Sequence, residues 1–241
     1  MSGHSKWSTI KRKKGVLDSQ RSKMFTKVIR EITAAVKQGG SDINSNARLR
    51  LAVQNAKGIN MPKDNIDRAI SKGNSDTTSY TTIIYEGNGI KGSSFMVECM
   101  TDNTTRTVGE VRSLFNKYGG SLGKSGSVSY DFEKKSYFKL DNSKIKDIDE
   151  FLLEMIEVGA DDIDSDDEEN VVFLYGKDDC FGELQKDLEG KGINILEAGL
   201  RYFPINTQEL SEEDTQKIIN FIEVLEDLDD VQHVYSNILI K

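Results

Sequence analysis

The apolar spacing of this chain changes period once, near residue 74, and that change limits the folds open to it. Before it, the stripes are helical. In residues 21–38, Phe25, Val28, Ile29, Ile32, Ala35 and Val36 recur at i, i+3, i+4 and i+7. Gly39 and Gly40 end that stretch. A second helix is expected over 46–57, with Leu49, Ala52, Val53 and Ala56 inward and Gly58 closing it. A third is expected to begin at Pro62, a residue suited to a first helical turn, to bury Ile66, Ala69 and Ile70, and to stop at Gly73.

Beyond the polar linker NSDTTS at 74–79 the runs become β-like. Residues 80–86 and 93–101 are rich in Ile, Tyr, Phe, Val and Thr around a Gly-rich turn. A helix is expected over 104–118 and a strand-like run over 127–132. A second α/β stretch follows, with strands at 136–140, 171–175 and 193–201 and helices at 147–158 and 181–189. After Pro204, Ser211-x-x-Asp214 resembles a capping box and opens a helix to residue 228, before a last strand at 231–236. Alternating strands with two helices per unit fit ferredoxin-like sandwiches.

The charge is divided at nearly the same place. The 241 residues carry a net −8, which by itself argues against a nucleic-acid partner. Yet residues 1–73 hold 16 Lys and Arg against 5 Asp and Glu, a balance of +11, and the remainder is −19. Such polarity suits a part that faces phosphates joined to a part that repels them. The basic end begins with Lys6 and Trp7, followed by the run Lys11, Arg12, Lys13 and Lys14. A core has no use for four adjacent charges, whereas neutralised phosphates release counterions and reward them. Trp7 fits two roles, stacking on an exposed base or packing its indole to anchor the segment. At about 100° per residue, Lys23, Lys27, Arg30 and Lys37 fall opposite the apolar stripe of the first helix. With Arg21, Arg48 and Arg50, these are the candidate nucleic-acid ligands.

Motifs that resemble catalytic or cofactor sites fail on context. Gly87–Gly92 spells G-x-G-x-x-G, but the strand-like Phe95–Met100 follows where a dinucleotide site needs a helix N-terminus. GGSLGKS at 119–125 resembles a P-loop, yet it is one residue short and again precedes a strand-like run. Backbone N–H groups of such a loop can still meet an anion. Asp162, Asp164 and Asp166 open like a calcium loop, but Asp167 and Phe173 stand where Gly and Glu are required, so 161–169 is expected to be a solvated acidic loop. His4 and His233 are the only histidines, and Cys99 and Cys180 the only cysteines. No nucleophile–base pairing, disulfide framework or zinc spacing emerges from them. No cofactor, metal or enzymatic activity is therefore expected. The apolar runs are too short for a membrane helix, and neither a secretory signal nor a transit peptide is evident, so a cytoplasmic protein is expected.

Several blocks are more particular than periodicity alone. GHSKW at 3–7, FTKVIREI at 25–32, NARLRLA at 46–52 and NMPKDNIDRAI at 60–70 resemble the YebC/PmpR family. So do IIYEG at 83–87, DNTTRTVGEVR at 102–112, GGSLG at 119–123, GSVSY at 126–130 and LEDLDDVQHVY at 225–235. The resemblance spans nearly the whole chain. It implies an α+β multidomain fold, with an N-terminal three-helix domain and two ferredoxin-like α/β sandwich domains, the third inserted in the second. The expected limits are 1–76 for the basic helical domain, 77–133 plus 204–241 for the second, and 134–203 for the acidic insertion. It also implies a bacterial, non-enzymatic regulator that binds promoter DNA. Links of relatives to translation imply the alternative, a factor on ribosomal RNA that assists difficult nascent sequences. The absence of an evident helix-turn-helix suits RNA held by shape and backbone.

Overall fold

The computed structural model describes the backbone of residues 17–75 and 78–240 and the side chains from residue 22 onward. The chain opens with α1 (Leu17–Gly39), α2 (Ala47–Gly58) and α3 (Lys63–Ser75). Next come β1 (Thr81–Asn88), β2 (Ser94–Thr101), α4 (Thr104–Lys117) and the short β3 (Ser121–Leu122). A second series follows: β4 (Phe132–Asp141), α5 (Ile148–Ile156), β5 (Ala160–Asp166), β6 (Val171–Lys177), α6 (Phe181–Gly190) and β7 (Ile195–Pro204). Then α7 (Glu212–Glu226) and β8 (Val231–Ser236) complete the first sheet. This is the α+β multidomain fold expected.

Two compact units are present. One comprises the described parts of Met1–Arg30, Asp76–Glu133 and Tyr202–Lys241; the other comprises Glu31–Ser75 and Lys134–Arg201. The sheet of the first unit has the order β3-β1-β2-β8, with antiparallel neighbours. Phe95, Val97 and Cys99 on β2 alternate toward Val111 and Phe115 of α4 and Phe221 of α7. The rings of Phe95, Phe115 and Phe221 meet edge-on, with centroids 5.0–6.0 Å apart. Asn103 and Ser211 cap α4 and α7 by accepting the N–H of Arg106 and Asp214.

The sheet of the second unit has the order β5-β6-β4-β7. Its chain order, β4-α5-β5-β6-α6-β7, is the ferredoxin-like series, whereas the first sheet begins with its central hairpin β1–β2. Phe138 and Leu140, Phe151 and Met155, and Leu184 and Leu188 form its core. On this unit α2 is pinned to the edge strand β7. The amide of Asn55 donates to the carbonyl of Ala198 at 3.0 Å and accepts its N–H at 2.9 Å, imitating a ladder pair. Gly58 lies so near Leu196 that a Cβ there would stand 1.6 Å from the Leu196 carbonyl oxygen.

Three local expectations are corrected. The acidic run is not a loop: Ala160–Asp166 is β5, paired along β6 at the sheet edge. Carboxylates are poor strand formers, but an edge strand solvates one side and borrows its order from the neighbour's ladder. Residues 127–132 are not one strand. A 3-10 turn occupies Ser129–Asp131 before β4 starts, because the N–H groups of Gly126, Val128 and Ser129 all donate to the buried carboxylate of Glu86 at 2.8–2.9 Å. Gly73 does not stop α3; it lies inside it, where a Cβ would meet the Cβ of Val36 at 2.8 Å. It is a close-approach glycine.

Candidate nucleic-acid interface

Lys6, Trp7, Lys11, Arg12, Lys13 and Lys14 lie outside the described residues, as does the side chain of Arg21. The remaining candidates divide between the two units. In the first, the cations of α1 meet carboxylates that follow α7. Lys23 Nζ is 2.7 Å from Asp227 Oδ1, with the two side chains 40% and 64% exposed. A pair so exposed contributes little and opens readily.

Arg30 is held far more firmly. Its Nη1 donates to Asp230 Oδ1 at 2.7 Å and to the carbonyl of Asp229 at 2.6 Å. Asp230 is only 5% exposed and its other oxygen is filled as well, by Arg106 at 2.8 Å, Thr107 at 2.7 Å and Thr101 at 3.0 Å. Burial pushes the Asp230 carboxyl up. The hydrogen bonds from Arg106, Thr107, Arg30 and Thr101 outweigh it and hold the group at about 2. Arg30, itself 17% exposed, thus spends its guanidinium inside the fold. Lys27 is half-buried and lies near enough to Cys99 to act on its thiol, which burial nevertheless pushes up to about 12.

In the second unit the candidates gather on the elements joined at the α1–α2 corner. Gly40 adopts φ +82° and donates its N–H to Val36 at 2.7 Å, turning the chain out of α1. Asn46 then secures the corner. It caps α2 by accepting the Leu49 N–H at 3.0 Å and donates to the carbonyls of Ala35 and Gly40 at 2.8 and 2.7 Å. Asn46→Ala removes the cap and strands two carbonyls, an expected loss of about 2–3 kcal/mol. A fall in the thermal midpoint of about 5–10 °C would register it in a melting scan; an unchanged midpoint would refute the corner's role.

Around that corner Lys37 is half-buried, while Arg48 and Arg50 are exposed. Arg48 donates to the side chain of Gln38. Arg50 Nη1 lies 3.3 and 3.2 Å from the carbonyls of Ile43 and Asn44. Two further cations, Lys57 and Lys63, are exposed and make no ion pair among the described residues. Lys57 was legible: seven residues after Arg50, it returns to the same helix face. Lys63 carried no comparable signal.

The P-loop-like segment 119–125 spends N–H groups inside the fold: those of Gly119, Gly120 and Gly123 donate to the carbonyls of Asn116, Phe115 and Glu86 at 2.8–3.3 Å. Just beyond it, the N–H groups of Gly126, Val128 and Ser129 are taken by the Glu86 carboxyl, which burial pushes up and these three donors bring below the usual range. The G-x-G-x-x-G segment is the β1–β2 hairpin turn, as its context required.

Comparison with known proteins places the chain in a family. A profile described as "TACO1/YebC protein N-terminal domain" matches residues 5–76, and one described as "TACO1/YebC second and third domain" matches residues 80–238. The chain belongs to the TACO1/YebC family. A relative in Amoebophilus asiaticus, named a "Probable transcriptional regulatory protein", is 52% identical over 239 residues, covering 99% of this chain and 98% of the relative. A Syntrophus aciditrophicus relative of the same name is 48% identical over 240 residues, covering 98% and 95%. The crystal structure of a conserved hypothetical protein of Aquifex aeolicus superposes with a TM-score of 0.85 at 42% identity, covering 98% of each chain. For a TACO1/YebC chain the N-terminal match thus ends where the basic excess ends. Among the described residues, no helix is long and apolar enough to cross a membrane.

Proposed function

We propose that this chain is a non-enzymatic, nucleic-acid-binding regulator of gene expression, a cytoplasmic protein whose 1–76 domain faces the phosphates. The observation that carries this reading is the division of charge, +11 over residues 1–73 against −19 over the rest. The exposed cations Arg48, Arg50 and Lys57 on α2 support it. In this reading the 77–133 plus 204–241 domain and the acidic β5 edge of the inserted 134–203 domain make no phosphate contacts, because their negative charge repels nucleic acid.

The relatives' name favours promoter DNA as the target. One observation favours ribosomal RNA instead. Asn55, an amide of the kind that reads adenine edges, is consumed inside the second unit by Ala198, and Gln54 is engaged by Gln185 at 3.2 Å. A helix whose amides are spent internally suits contacts to backbone and shape.

Replacing Lys11, Arg12, Lys13 and Lys14 together with Ala should weaken binding to duplex DNA or to RNA by tenfold or more. The slope of log K against log salt should flatten by roughly 0.7–0.9 for each phosphate that is no longer neutralised. Filter binding at four salt concentrations reads this directly, and an unchanged slope removes the run from the interface. Sedimentation from lysate with DNase and RNase arms then separates the targets: ribosome association that survives DNase selects translation, and sequence-selective duplex binding selects transcription.

A further inference from the structure

A cleft of about 650 Å³ opens in the second unit beside the seam between α2 and β7. That volume lies within the roughly 300–1,000 Å³ of small-ligand sites. Arg50 and Lys57, one face of α2, stand along it, and Glu189 is the only carboxylate among its lining residues. Arg50 engages only its Nη1 among the described residues, which leaves further guanidinium donors for an oxyanion. Ile43, Val53 and Ile195 supply apolar wall, the Asn60 amide supplies both donors and an acceptor, and Asn194, whose amide N–H is turned to the Asp141 carboxylate, adds its oxygen as an acceptor. Asn60 is set by the end of α2: its φ is +56° and its N–H donates to Lys57 at 2.9 Å.

The sheet order makes this cleft compatible with an anion despite the acidity of the surrounding sequence. The carboxylate-rich β5 and the cleft-forming β7 are opposite edges, with β6 and β4 between them. Three inter-strand steps place them about 14 Å apart, beyond the screening length of about 8 Å at physiological salt. Cations for a phosphate, an apolar wall for a base face and amides for a base edge or sugar hydroxyl coincide in a space of nucleotide size.

We propose that this cleft holds one unpaired nucleotide of a single-stranded nucleic acid, its phosphate on Arg50 and Lys57 and its base between the apolar wall and the amides of Asn60 and Asn194. The assignment rests on the nucleic-acid-binding reading above and adds to it a preference for unpaired strands. A duplex keeps its bases stacked inside and presents only backbone to such a cleft.

The test measures fluorescence anisotropy of the full chain with a 12-nucleotide RNA, the same sequence as single-stranded DNA, and the RNA duplex. Arg50→Glu with Lys57→Glu changes two exposed residues. Asn60→Gly removes the amide while tolerating the left-handed backbone. Expected are thermal midpoints close to the parent and at least a tenfold loss of single-strand affinity in the double variant. Asn60→Gly should lose about threefold on single strands and nothing on the duplex. RNA carrying 4-thiouridine should crosslink to peptides spanning 50–60 or 194–196. Equal losses on single strand and duplex, unchanged affinity in both variants, or full competition by poly-glutamate would overturn the assignment. If the parent chain bound none of the three probes, the broader reading would fall and the cleft with it; if the parent bound and the variants matched it, the cleft alone would fall.

Discussion

Replacing Asp230 with Ala should lower the stability of the first unit by about 3–5 kcal/mol, because it breaks a buried pair and strands the partners left behind. Arg30 and Arg106 lose their common carboxylate, and Thr101 and Thr107 lose an acceptor. Asp230→Asn should cost less, since an amide oxygen still accepts from the threonines. The same group predicts acid sensitivity. The folded-state value of about 2 lies below the ordinary 3.8, so its stabilisation is complete above pH 4 and disappears as pH falls through 2. That shift is worth about 2 kcal/mol. Urea unfolding at pH 7, 4 and 2.5, followed by circular dichroism, should show the parent converging on the Asn variant as pH falls. A constant difference across that range would disprove the charge-assisted hub. Arg30→Ala should likewise reduce stability while leaving the salt slope of nucleic-acid binding unchanged, because this guanidinium is already committed.

Gly58→Ala should be nearly as severe in the second unit. A methyl group there would stand 1.6 Å from the carbonyl oxygen and 2.6 Å from the carbonyl carbon of Leu196, and both are backbone atoms that no rotamer change can move. The end of α2 must lift from β7, and the Asn55–Ala198 pair at 2.9–3.0 Å goes with it. Overpacking and the two broken hydrogen bonds together cost about 3 kcal/mol or more. The better helix propensity of Ala returns only about 1 kcal/mol. Hydrogen exchange should show faster opening at Asn55 and Ala198 in particular. An Ala variant as stable as the parent, with protection intact at both residues, would mean the close approach is not required.

Local rules recovered much of the fold because their signals lie within a few residues of one another. The stripe on α1 predicted burial of Ile32, Ala35 and Val36, and all three are buried. The Ser211-x-x-Asp214 spacing predicted the cap that opens α7, and Ser211 accepts the Asp214 N–H at 3.2 Å. Where a partner lay far along the chain, the same rules failed. Ala160–Asp166 lacks strand propensity, and only pairing with Val171–Lys177 makes it β5. The glycine-rich segment 119–125 carries a phosphate-loop pattern, and only Glu86 explains what is bound there: its backbone carbonyl takes the N–H of Gly123, and its carboxylate takes that of Gly126 just beyond. Gly73 reads as a helix stop until Val36 is found against it.

The amino-acid sequence by itself determined most of the order of helical and β segments, the Ser211 cap that opens α7 and the partition of basic from acidic residues. Each of these follows from residue type and spacing along a short stretch. The tertiary structure alone decided which charges remain for a partner. It committed Arg30 to Asp230, 200 residues away, left Arg50 and Lys57 at the surface, and put the acidic β5 at the far edge from β7. The reason is physical: a charge is neutralised by whatever the fold brings within hydrogen-bonding distance, and that neighbour is set by packing across the whole chain.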